Sequence, residues 1–238
     1  MDKINFGLFF GHLAVYLFVW IFAITTQSAL TAWLSNYYGD DTAKSEGRIS
    51  FSPFVQADLL GTIIIPTIAF IIGWLSPGIP FLAWGKRVPI NSKKWNNPKL
   101  AGVIVTLGGT FASISIAFVS FLLLKILFVT GVTDTDSFIQ IVLGKNFATE
   151  VNWGAPILMI LWYSLVLNLV LTIFSLIPFP PFGGGAALSH LLPDSFKPVK
   201  DFFNRFGIII ALFLIYFGII GYVLKPVLIF TLSLLGIN

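Results

Sequence analysis

The chain has 238 residues, 57% of them hydrophobic and only 10% charged, with a formal net charge of +4. A water-soluble domain carries about 25% charged residues, so this composition excludes one and indicates a polytopic membrane protein. The absence of cysteine excludes disulfides, thiolate metal sites and thiol redox chemistry, and no basic run interleaved with aromatics offers a nucleic-acid surface.

A helix needs about 20 apolar residues to cross roughly 30 Å of hydrocarbon. Runs of that kind lie at about 6–35, 100–130, 155–178 and 206–236, with a shorter one at 59–75. The first is too long for the apolar core of a cleavable leader and is not followed by a small-residue cleavage site. After it, Arg48 to Phe51 alternates between Gly47 and Pro53, the signal of a short strand, and Lys86 to Asn91 is expected to pair with it as a small cytoplasmic β element. The short run is interrupted by Pro66 and followed by Ser76-Pro77-Gly78 and Pro80. In the 100–130 run, the small residues Gly102, Gly108, Gly109, Ala112, Ser113 and Ser115 permit close helix packing. From Asp194 to Phe206, phenylalanines at near-helical spacing alternate with Lys197, Lys200 and Arg205, which predicts an interfacial helix. Pro226, after Lys225, is expected to kink the last run.

Charge decides the topology. If residues 59–75 enter and leave on one side, Lys44, Arg48, Lys86, Arg87, Lys93, Lys94, Lys99, Lys197, Lys200 and Arg205 share one face, leaving little beyond Lys3, Lys145 and Lys225 opposite. Strict alternation weakens that polarity, so the positive-inside rule favours a re-entrant segment. The expectation is a cytoplasmic face with the N-terminus outside, together with the acidic loop around Asp134, Asp136 and Glu150.

Particular motifs carry more than this outline. After the first run come Gly39, Asp40, Thr42, Ala43, Gly47, Arg48, Pro53, Asp58, Gly61 and Thr62. Then follow Trp84, Lys86, Val88, Pro89, Ile90 and Asn91, and Asn97-Pro98-Lys99 opens the third run. Later stand Asn168, Phe174, Leu176, Ile177, Pro178, Pro180, Pro181, Gly184 and Gly185. In this order, over about residues 20–190, the chain resembles the site-2 proteases, intramembrane zinc metalloproteases. The resemblance places the family's His-Glu-x-x-His on Gln27, Ser28, Ala29, Leu30 and Thr31, and its third ligand, an aspartate, on Gly183. In that motif two imidazoles four apart bind zinc on one helical face and the glutamate is the general base. None of those side chains is present here. Further departures are Gly108-Gly109-Thr110-Phe111-Ala112-Ser113 for Ala-Gly-Pro-x-x-Asn, Ser52 and Ser175 for asparagines, and Ala186 for an arginine.

Other chemistry has weak support. His12 lies 15 residues before Gln27, about 22 Å along one helix, and reads as a buried polar residue bonded to a neighbouring helix; His190 reads as a loop or interface residue. Asp58 is expected to cap the mouth of the short segment. A serine protease through Ser28 needs a base that neither histidine is placed to supply. Gly183 to Gly185 lack the Lys-Ser or Lys-Thr of a phosphate loop and read as part of the turn built by Pro178, Pro180 and Pro181.

The expectation is therefore an all-α polytopic membrane protein, residues 1–238 as one site-2 protease-like domain of four long transmembrane runs, a short re-entrant segment and a small β element. The resemblance implies a pseudoprotease without zinc, binding transmembrane segments, membrane partners or a catalytic paralogue through Asn168, Arg48, Lys86 and Asn91. The alternatives are an active zinc enzyme with atypical ligands and a small-solute transporter on the same scaffold.

Overall fold

A computed structural model describes residues 6–75, 84–142 and 154–237. Lys3, Lys145, Glu150 and the Ser76-Pro77-Gly78 and Pro80 breakers lie outside the described residues. The first helix, α1 (Phe6–Tyr37), is apolar around its whole circumference, so its buried face is marked by small and polar residues rather than by hydropathy. His12, Tyr16, Val19, Trp20, Ala23, Ser28, Ala32 and Ser35 form an inward stripe, while Phe6, Phe10, Phe18 and Phe22 face outward. His12 is fully buried with Nδ1 3.0 Å from the Tyr163 hydroxyl, as a polar residue bonded to a neighbouring helix should be.

Two short helices, α2 (Thr42–Ser45) and α3 (Pro53–Gln56), lead to a π turn at Leu59–Ile64 and to α4 (Ile65–Leu75). The wide turn immediately precedes Pro66, which has no N–H to donate to it. Asp58 caps this turn, its carboxylate accepting from Gly61 N at 2.7 Å, in agreement with the sequence reading. Along α4, Phe70 and Trp74 pack on Phe9, His12 and Tyr16 of α1. The chain is back at the start of α4 by Trp84, whose N–H donates to Gly61 O at 3.1 Å and whose carbonyl accepts from Thr62 Oγ1 at 3.0 Å.

The predicted β element is not formed, and no strand occurs among the described residues. Side chains take the place of a ladder. Arg48 is 2% exposed and donates to Val55 O (2.6 Å), Lys86 O (3.0 Å) and Arg87 O (3.3 Å). Gln56 Nε2 donates to Arg48 O and Ser50 O, and Lys86 N donates to Gln56 O. Period-two alternation and flanking Gly and Pro fit an extended segment of either kind, so the sequence could not separate them.

The third run divides into α5 (Pro98–Thr106) and α6 (Gly108–Val129) around Leu107. Of its expected small-residue stretch, Gly102, Gly108, Ala112 and Ser113 are buried and Gly109 is half-buried, whereas Ser115 is exposed and bonds to Phe111 O. An amphipathic α7 (Thr135–Val142) follows, its buried Phe138 and Ile141 packing in one core with Leu158 and Met159 of α8 (Gly154–Ser175). Among the described residues, three helical stretches are long and apolar enough to span a membrane: Phe6–Tyr37, Pro98–Val129 and Gly154–Ser175.

The fourth long run differs from expectation. It breaks at Gly218, held at φ 68° where only glycine is unstrained, and Pro226 lies inside the helix that follows. The result is α9 (Gly183–Leu191) followed by α10 (Lys197–Tyr216) and α11 (Ile219–Leu235), with Pro226 inside α11. The predicted interfacial helix is continuous with α10. Gly183 to Gly185 open α9 instead of belonging to the turn, which covers residues 176–182.

The end of α1 is fixed by Asp40, a fully buried carboxylate. It accepts from Ser35 Oγ (2.9 Å), Thr42 Oγ1 (2.5 Å), Thr42 N (3.1 Å) and Asn91 N (2.8 Å), and Ser35 in turn accepts from Trp95 Nε1 (3.0 Å). Burial pushes the acid upward, but these hydrogen bonds outweigh it and hold Asp40 below the ordinary aspartate value. A depressed carboxylate contributes stability above its unfolded pKa of about 3.9 and loses it as pH falls through the folded value. Asp40→Ala is expected to cost about 2–4 kcal/mol in detergent-solubilised protein. It should also flatten the loss of melting temperature below about pH 4 expected of the native chain.

Candidate functional site

The turn after α8 approaches α9 without room for side chains. A Cβ on Gly185 would lie 1.9 Å from Phe179 C and 2.3 Å from Pro180 N, and one on Gly184 would lie 2.7 Å from Leu176 O. At Gly183 a Cβ would meet Ser175 Oγ and Thr106 O, each at 2.8 Å. The neighbouring helices approach on small residues too. Gly109 faces Gln27, Gly108 faces Thr31 and Leu34, and the His190 ring lies against Gly102.

These approaches border an open cavity of about 330 Å³. Gln27, Ser28 and Thr31 line it from α1, which follows from helical spacing, and Gly183 lines it from the start of α9. Lys86, Gly85 and Val88 form the wall from the extended segment, and Thr106, Gly109 and Ser175 complete it. Gln27, Ser28, Thr31 and Gly183 therefore meet, and Lys86 joins them. Asn168, Arg48 and Asn91 do not line it. Asn168 is fully buried and donates to Ser164 O at 2.8 Å within its own helix. Arg48 is committed to its three carbonyls, and Asn91 Oδ1 caps the turn at Ser92–Lys94.

The wall is polar and short of titratable groups. Gln27 Nε2 donates to Ser113 Oγ, Thr110 Oγ1 and Ser175 Oγ are 2.5 Å apart, and Thr106 Oγ1 donates to Gly102 O at 2.5 Å. Ser28 has no hydrogen-bond partner among the described residues. His190 stays outside the cavity, packed on Trp95 at 5.8 Å, and burial first, then Lys200, pulls it below the ordinary histidine value. No Ser–His pair is formed with Ser28. The contributions that sequence reasoning missed, Thr106, Gly109 and Ser175, come from the break at Leu107 and from the end of α8. Their one signal was that they occupy or adjoin the positions where the chain departs from the family pattern.

No family model matches the chain, and no solved structure matches it. Among curated proteins it is 30% identical over 208 residues, 87% of its own length and 83% of the relative's, to a Bacillus subtilis (strain 168) protein named "Putative zinc metalloprotease YwhC". The chain belongs to the site-2 protease-like family. The zinc that this family implies does not fit the residues present. Zinc sites are built from Cys, His, Asp and Glu, whereas the cavity offers an amide, hydroxyls and an ammonium group. Among the described residues no three His, Cys, Asp or Glu side chains come together.

The glycine packing sets a graded expectation. Gly185→Ala should destabilise by about 3 kcal/mol or more, since backbone must move to admit the methyl group. Gly11→Ala, with nothing within 4 Å of the new Cβ, should be neutral or stabilise by up to about 1 kcal/mol. Thermal unfolding of both variants in one detergent measures the difference.

Proposed function

We propose that this chain is a catalytically inactive member of its family, a pseudoprotease that binds transmembrane segments or membrane partners without cutting them. The carrying observation is that Gln27, Ser28, Thr31 and Gly183 meet around one cavity and present neither a zinc donor set nor a base. Cleavage requires activated water, which in this family's motif needs both. Binding requires shape and backbone groups, and these remain. The N–H groups of Arg87, Val88 and Ile90 have no acceptor among the described residues, and Val88 borders the cavity. An extended peptide added along this segment would satisfy them.

The same reading includes the membrane arrangement. Residues 59–75 re-enter on the side from which they leave: α4 runs along α1 as far as Phe9 and His12, and Trp84 and Gly85 again lie beside Gly61 and Ile24. The charge distribution places this end, with Lys44, Lys86, Lys93 and Lys94, in the cytoplasm, in a multi-pass protein of the cytoplasmic membrane. The exposed phenylalanines of α10, Phe202 and Phe206, would lie in that leaflet.

A fluorescent single-span peptide titrated onto the purified full chain in a nonionic detergent should bind saturably. Its mass should be unchanged after incubation with or without added zinc. Zinc-dependent cleavage would overturn the reading.

A further inference from the structure

We propose that the cavity between α1 and the start of α9 is an anion pocket that takes a phosphate group. The inference deepens the pseudoprotease reading and rests on it, because a zinc ion in the cavity would itself attract the anion. Three kinds of donor meet there. Lys86 is the one charged side chain of the lining, with no carboxylate beside it among the described residues. The second donor is the N-terminus of α9, a nine-residue helix whose N-cap Phe182 supplies no side-chain cap. The N–H groups of Gly183, Gly184 and Gly185 have no acceptor among the described residues, and unpaired N–H groups at the positive end of a helix favour an anion.

The third donor is independent of both. Ser28 is only 9% exposed and lines the cavity, yet its hydroxyl has no partner among the described residues. The surrounding polar groups are occupied, since Gln27 donates to Ser113, Thr106 to Gly102 O, and Thr110 and Ser175 bond to each other. The Ser28 oxygen is not sealed off by protein, so it is open to an acceptor held in the cavity. An oxyanion of the phosphate class would accept from it, from the ammonium group and from the helix end together, and about 330 Å³ leaves room for such an ion. The pocket opens beside the extended segment at Gly85 and Val88, so the phosphate could come from a lipid headgroup or from solution.

Two titrations test this on the detergent-purified full chain. Calorimetry with sodium phosphate, against sodium chloride at equal ionic strength, reads free phosphate. Native mass spectrometry after reconstitution in vesicles of phosphatidylcholine and phosphatidylglycerol reads the headgroup. Saturable binding in either arm is expected, and the arm that responds identifies the source. Lys86→Gln should weaken it about tenfold, Ser28→Ala about threefold, and Lys86→Arg little. Both changes are small or exposed, and unchanged melting temperatures would show that the variants fold. Failure of both probes to bind saturably, or equal binding by Lys86→Gln and Ser28→Ala, would overturn the proposal. The peptide cleavage assay separates the two readings: an uncut peptide with no anion binding sinks the pocket alone, whereas zinc-dependent cutting sinks the pseudoprotease reading.

Discussion

Close backbone approach at Gly183 to Gly185 is the constraint on which the site depends. The turn at residues 176–182 lies so near the start of α9 that a single methyl group at Gly185 would overlap Phe179. That contact delivers the first turn of α9 against Ser175 and Thr106 and so borders the cavity opposite Gln27, Ser28 and Thr31. It also bears on Gly183. A side chain there would start 2.8 Å from Ser175 Oγ and Thr106 O, so the packing is fitted to glycine, and a larger residue could be admitted only after the neighbouring groups or α9 itself shifted.

Outside the helical bundle, charged groups hold the irregular chain in place. Asp40 and Arg48 are both buried, and each is surrounded by opposite partial charges rather than by an opposite ion. Asp40 gathers N–H and O–H donors at the end of α1, and Arg48 gathers carbonyls from α3 and from the extended segment at Lys86 and Arg87. Removing one of these charges leaves several backbone groups unpaired at once, which costs more than a surface ion pair such as Lys94–Asp41 contributes. The frame around the cavity is thus stabilised by residues that the family resemblance brought to notice, though their work is to position loops rather than to bind a substrate.

Much of this was legible in the sequence. Apolar runs located the spans, and the spacing of Gln27 and Thr31 put them on one face of α1. The order of the Gly, Pro and Asn motifs predicted that Gly183 would meet that face. The β element was misread because an extended segment tied down by Arg48 and Gln56 has the same alternation as a strand. Pro226 was expected to kink the last run, and the break at the left-handed Gly218 was not anticipated, because a single glycine in an apolar run carries no mark of its own. Asn168 looked like a binding residue because a buried amide bonded to its own helix cannot be told from one facing a cavity without coordinates. Leu107 gave no warning of the break between α5 and α6, having neither proline nor charge to mark it.

Chemistry in this family's motif depends on a metal and a base, and the cavity of this chain is walled by groups that supply neither. What the described residues offer is an open polar cleft beside an extended segment whose N–H groups at Arg87, Val88 and Ile90 have no acceptor among them. Metal analysis of the purified, detergent-solubilised full chain, prepared with zinc present and then dialysed, tests this most directly. The account predicts well below one zinc per chain, at the level of a metal-free control. One tightly held zinc per chain would contradict it.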